Sequence, residues 1–154
     1  MTKIIVDTNI VFSALLNTNS RIGQILINGK NNFDFYSPAY VKFEIFKHKE
    51  KIKSIGKLTD NEFLEIYGLI LKNITILNHS IIPTEIYKNA EILCQDIDID
   101  DTIFVAVSYF TKGILWTGDL KLINGLIKKG FKNLIKTEDL YQIFQTKERR
   151  KQKI

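Results

Sequence analysis

Apolar residues in this chain fall into short runs and into helix-spaced stripes, and the two patterns alternate along its length. Residues 3–6 (Lys-Ile-Ile-Val), 33–36, 74–77, 114–116 and 134–135 read as short apolar strands. Helical periodicity fills the stretches between them. It covers Asn9–Leu16, Arg21–Asn28, a helix opened by Ser37-Pro38, and one opened by Thr59-Asp60-Asn61-Glu62 and running to Leu71. Further helices run from Pro83-Thr84 to Cys94, over Thr102–Phe110 and Leu120–Lys128, and from Thr137 to Phe144.

The boundaries have chemical reasons. Ser37 suits an N-cap and Pro38 the first helical position. Thr59 and Glu62 form a capping box. Gly29 and Gly113 end the helices they follow. The Thr102–Phe110 segment is apolar nearly all round, so it is expected to be central and buried. Strands alternating with helices predict an α/β fold, a mainly parallel sheet with helices on both faces. Ligands of such sheets gather at the carboxyl ends of the strands. No repeat or Gly/Pro/Ser-rich linker interrupts the pattern, which suggests one domain over 1–146 and a basic tail over 147–154.

A chain of 154 residues with 45% hydrophobic content can bury a core of its own. The single Cys94 excludes an internal disulfide framework and a Cys-based zinc cluster, and its apolar helical setting predicts core packing. No apolar run reaches the ~18 residues of a membrane span, and no secretory signal pattern is visible. The expectation is a cytoplasmic protein with no membrane contact. The net charge of +5 is uneven: Lys42–Lys57 and Lys147–Lys153 carry +4 each, which leaves −3 for the rest. Such patches can hold a polyanion or can be solvated faces.

Acidic residues supply the candidate chemistry. Asp7 follows the first strand, and Asp119 follows Ile114–Trp116 across Thr117-Gly118. Asp101 stands at the start of the central helix, and Asp98 lies three residues earlier. Glu44 falls in the first two turns after Pro38, flanked by Phe43, Ile45 and Phe46, so its carboxylate needs a partner. Two carboxylates about 4 Å apart repel by roughly 4 kcal/mol at an effective dielectric of about 20. Several together stay ionised only with a cation, or else retain protons. Oxygen ligands without His or Cys suit Mg²⁺ or Mn²⁺. Such an ion can hold a phosphodiester and activate water. Asp7, Asp101 and Asp119 can also serve simply as helix caps.

Other acid-based motifs fail. Asp96-Ile-Asp98-Ile-Asp100 opens like a calcium-binding EF-hand loop, but Asp101 and Val107 replace the required Gly and Glu. A haloacid-dehalogenase-type phosphatase needs a second Asp where Asn9 stands, and a receiver domain needs a late Lys-Pro that is absent. His48 and His79 have no matching Ser or Cys nucleophile motif and are expected at the surface.

Taken in order, four segments resemble the PIN-domain family over nearly the whole chain. They are Ile5-Val6-Asp7-Thr8-Asn9-Ile10, Pro38-Ala39-Tyr40-Val41-Lys42-Phe43-Glu44-Ile45, Asp98 through Ala106, and Leu115-Trp116-Thr117-Gly118-Asp119. The resemblance implies a three-layer α/β/α sandwich and a Mg²⁺/Mn²⁺-dependent endoribonuclease. It implies that Asp7, Asp98, Asp101 and Asp119 bind metal, and that Glu44 binds or orients it. Asn9 and Thr117 would support the site. Lys42, Lys47, Lys49, Lys51 and the basic tail are expected to meet the RNA backbone. Many bacterial members are VapC-type toxins held by a small antitoxin, which makes an antitoxin partner, and a homodimer, open expectations. A catalytically silent RNA-binding or protein-interaction module of the same fold is the alternative.

Overall fold

Side chains of the first strand, β1 (Thr2–Val6), alternate between two separate cores. Ile4 and Val6 join one, and Ile5 joins the other, as a pleat of period two requires. β1 therefore lies inside a sheet covered on both faces. The other strands are β2 (Phe33–Pro38), β3 (Ile74–Leu77), β4 (Ile114–Trp116) and β5 (Leu134–Ile135). All pairings are parallel, and the order across the sheet is β3-β2-β1-β4-β5. The computed structural model describes residues 1–153.

One face carries α1 (Thr8–Leu16), α2 (Arg21–Asn28), α3 (Tyr40–Lys47), α4 (Lys49–Gly56), α5 (Asp60–Leu71) and α9 (Thr137–Gln152). The other carries α6 (Thr84–Cys94), α7 (Thr102–Thr111) and α8 (Leu120–Lys128). The result is the expected three-layer α/β/α sandwich. α7 packs on β1, β2 and β4 and buries every residue from Thr102 to Ser108. Each of its fully buried aliphatic side chains contributes about 1.5–3 kcal/mol. The capping box at Thr59 and Glu62 is formed, with both hydrogen bonds present.

Two boundaries differ from expectation. Ser37 and Pro38 do not open a helix; they end β2, and α3 begins at Tyr40. Pro38 pairs with Leu77 of β3, while the ladder to β1 stops at Tyr36, so the N–H that proline lacks has no strand partner to lose. The Ser37 hydroxyl donates instead to the Val6 carbonyl at 2.8 Å. α7 ends before Gly113, as expected, and the left-handed residue that closes it is Lys112, at φ 59°. Gly113 serves close packing, since a Cβ there would stand 3.0 Å from the Lys3 carbonyl oxygen. Finally, α9 does not end near Phe144 but continues to Gln152. Glu148 accepts from the Asn32 amide at 2.7 Å, and Lys147 lies over the Phe33 ring, which ties this basic segment to the domain.

Candidate active site

The chain crosses the sheet in one direction from β1 to β3 and then restarts on the opposite side of β1 with β4. Connections leaving β1 and β4 diverge, which opens a crevice at the carboxyl edge between them. Asp7 follows β1 and Asp119 follows β4, so this crevice has an acid on each rim.

Thr117 joins the two rims. Its hydroxyl donates to Asp7 Oδ2 at 2.6 Å and accepts from the Asp119 N–H at 3.1 Å. Both Asp residues also cap helices. Asp7 Oδ1 accepts from the Asn9 N–H at 2.7 Å, and Asp119 Oδ1 from the Leu122 N–H at 3.1 Å. The capping role and a place in the acidic cluster thus coexist in one side chain. Asn9 contacts Asp7 through its backbone, while its own side chain is exposed.

Asp101 completes the crevice from the start of α7, and its situation is different. It is half-buried, and its Oδ2 is buried with no hydrogen-bond partner. Burial first, then the charges of Asp7, Asp98, Asp119 and Glu44, push its carboxyl up to about 7. Asp7 is also raised, by burial above all, but its two donors oppose the shift. Of the two acids, Asp101 is therefore the one that keeps a proton. Among the described residues no Lys, Arg or His forms an ion pair with Asp7, Glu44, Asp98, Asp101 or Asp119.

Glu44 reaches the cluster from α3, where the Thr8 hydroxyl donates to its Oε1 at 2.5 Å. Its neighbours are less buried than the sequence suggests, with Phe43 63% exposed and Phe46 45%. The acidic run before α7 sorts itself out. Asp96 pairs with Lys129 away from the crevice. Asp98 is exposed and accepts from the Asp100 N–H at 3.0 Å, capping the short 3₁₀ turn Ile99–Asp101.

Lys42, Lys47 and Lys51 are exposed, but Lys49 is engaged by Asp60 at 3.4 Å and lies over the Phe63 ring. His48 and His79 are exposed, as expected. Cys94 is buried, and its thiol is pushed up to about 11, mainly by burial.

Two residues near the site were not singled out by sequence. Thr8 supports Glu44, and its position beside Asp7 was the available signal. Tyr40 is the other. Its phenol is held above the ordinary value by burial and then by Glu44, Asp100, Asp98 and Asp101. It stacks on Phe43 and lines an open groove of about 600 Å³ beside the carboxylates.

An all-oxygen set with one orphaned buried carboxylate oxygen has the chemistry of a site for a hard divalent cation. Among the described residues no three His, Cys, Asp or Glu side chains converge closely enough to enclose an ion alone.

The sequence model of the PIN domain matches residues 5–149, and this chain belongs to that family, whose members are generally nucleases and usually require a divalent metal. A sequence relative is the uncharacterized protein MJ1680 of Methanocaldococcus jannaschii, 32% identical over 127 residues, covering 79% of this chain and 74% of that one. Among solved structures, PAE2754 from Pyrobaculum aerophilum aligns with a TM-score of 0.66 at 13% identity, over 94% of this chain and 90% of its own. VapBC2 from Rickettsia felis, solved bound to a DNA fragment from their promoter, aligns at 0.63 with 17% identity, over 88% and 97%. Both structures share the fold. No helix among the described residues is long and apolar enough to cross a membrane.

Proposed function

We propose that this protein is a Mg²⁺- or Mn²⁺-dependent endoribonuclease that hydrolyses RNA phosphodiesters in the crevice between β1 and β4. The observation that carries this reading is Asp101, a carboxyl raised to about 7 among four other acids, with a buried oxygen that no protein donor meets. Asp7, Asp101 and Asp119 would hold the ion, with Asp98 at the margin, and Glu44 would hold or orient it. When bound, a divalent ion supplies Lewis-acid activation of water and neutralises charge on the phosphate.

The chain's own groups set the geometry. Thr117 fixes Asp7 against the Asp119 backbone, and Thr8 fixes Glu44. Attack by water, without a covalent enzyme intermediate, fits the surroundings. The sole cysteine is buried with a thiol raised to about 11, which leaves almost no thiolate near neutral pH. Exposed Lys42, Lys47 and Lys51 are suited to the RNA backbone. On the resemblance of its motifs to VapC-type members of the family, we extend the reading to a cytoplasmic toxin restrained by a small antitoxin and able to pair as a homodimer.

The test is digestion of RNA with Mn²⁺ by the wild type and by Asp101→Asn. Cleavage by the wild type alone, abolished by EDTA, is expected. Equal cleavage by both proteins, or full cleavage in EDTA, would overturn the assignment. RNA binding without cleavage, unaffected by Asp7→Ala, would instead favour the silent binding module.

A further inference from the structure

The groove beside the carboxylates has a distinct composition. Tyr40 and Phe43 of α3 form one wall, and Ile99 and Ile103 flank it from the 3₁₀ turn and α7. Tyr87 of α6 and His79 complete it, and the Asp100 carboxylate stands at the edge. The Tyr40 and Phe43 rings are nearly parallel, 20° apart with centroids at 6.1 Å. This stack ends in the solvent, because Phe43 is 63% exposed. No part of the mechanism above uses the groove.

We propose that this groove is a subsite for one unpaired nucleobase of the substrate strand, stacked on the Tyr40–Phe43 pair next to the bond being cut. The proposal rests on the ribonuclease reading and narrows its substrate to single-stranded RNA. Charge selects the occupant. The Asp100 carboxylate lines the groove and repels a phosphate, so an uncharged group is favoured inside it. A neutral flat ring suits an apolar wall that ends in exposed aromatic faces. Asp100 and His79 offer polar partners at the ring's edge, where base amino and imino groups lie.

Connectivity supplies the second reason. Tyr40 and Phe43 share α3 with Glu44, and Ile99 shares its turn with Asp101. A strand with a phosphate at the carboxylates therefore has a neighbouring base at the groove. A base held in a helical duplex presents no free face to such a wall, so the base must be unpaired.

The test uses a short single-stranded RNA and full-length Asp101→Asn in Mn²⁺, so that binding is read without cleavage. 2-Aminopurine is placed at each position in turn, and then an abasic site. One position is expected to change fluorescence on binding, and an abasic site there should weaken binding about tenfold. Phe43→Ala, at an exposed position that the fold tolerates, should weaken the intact strand equally. The abasic site should then cost nothing further, and Phe43→Trp should restore affinity.

A strand that binds but is indifferent to abasic sites at every position overturns the subsite, and so does full affinity in Phe43→Ala. Failure of the single strand to bind at all does the same. So does release of a small protein partner by Phe43→Ala with RNA affinity intact, because the groove is then a protein dock. Base-dependent binding together with no cleavage by the wild type in Mg²⁺ or Mn²⁺ supports the subsite and sinks only the hydrolase reading.

Discussion

Replacing Asp101 by Asn should make the metal-free protein relatively more stable as pH rises while abolishing its activity. Asp101 has its carboxyl raised from 3.8 to about 7, so the folded state holds this proton more tightly than the unfolded chain does. The stabilisation is complete below the unfolded value and is lost as pH climbs to about 7, above which it levels off. A gap of roughly three pH units corresponds to a ceiling of about 4 kcal/mol. Asp101 is only half-buried, and solvent screening reduces that to about 1–2 kcal/mol.

Asn keeps the shape but cannot ionise, so this pH-dependent loss vanishes. The partnerless position of Oδ2 persists in the variant, which adds a cost common to all pH values. The readout is therefore the change in the difference between the two proteins, not the difference at one pH. Urea denaturation in EDTA at about pH 5 and about pH 8 measures it. Wild type should lose about 1–2 kcal/mol more than the variant over that interval. Asp7, also raised by burial, gives a parallel loss in both proteins. Added Mn²⁺ should then stabilise the wild type by mass action, and the variant, which keeps Asp7 and Asp119, by less. A difference between the two proteins that stays constant with pH refutes the placement of a protonated carboxyl at Asp101.

Three further outcomes are expected. Thr117→Val deprives buried Asp7 of a donor and the Asp119 N–H of its acceptor, so thermal melts should show a loss of about 1.5–3 kcal/mol, with Thr117→Ser much milder. Unchanged stability and cleavage in Thr117→Val would show that the two rims need no tie. Lys112→Gly relieves a left-handed backbone at the end of α7 and should stabilise the protein by about 1 kcal/mol in urea titrations, leaving activity alone. Replacing exposed Lys42, Lys47 and Lys51 together by Gln should flatten the salt dependence of RNA binding, by about 0.7 in log–log slope for each phosphate no longer neutralised. An unchanged slope would remove these lysines from the RNA path.

Features governed by neighbours in sequence were readable, and features governed by distant pairings were not. Asp7 and Asp119 could be placed because each directly follows an apolar strand, and a strand end is a local signal. The Thr59–Glu62 box and the Thr84–Cys94 helix are local in the same sense. Ser37-Pro38 misled because a proline φ near −65° suits a helix start and an extended strand alike. Pairing with β3, nearly forty residues away, decides between them. Lys147–Gln152 lacks an apolar stripe, so only contacts with Asn32 and Phe33 reveal that it continues a helix. The choice among the Asp96–Asp101 acids likewise turns on Lys129, which removes Asp96.

A local signal can be ambiguous for a deeper reason at this site. A helix N-terminus beside a strand end presents free N–H groups, and a carboxylate placed there is both cap and potential ligand. Asp7 and Asp119 each commit one oxygen to that task, and Asp7 gives the other to Thr117. Such groups are held in place by the protein itself. Asp101 stands at a helix start too, yet no side-chain bond caps α7. It faces the charges of its neighbours with no donor on its buried oxygen. On the proposed reading, a cation arriving in the crevice would meet two acids already oriented and one whose proton it must displace. Binding there would release a proton near neutral pH, so Mn²⁺ affinity measured by calorimetry should rise with pH until Asp101 is fully ionised, and an affinity that does not change with pH would remove Asp101 from the ligand set.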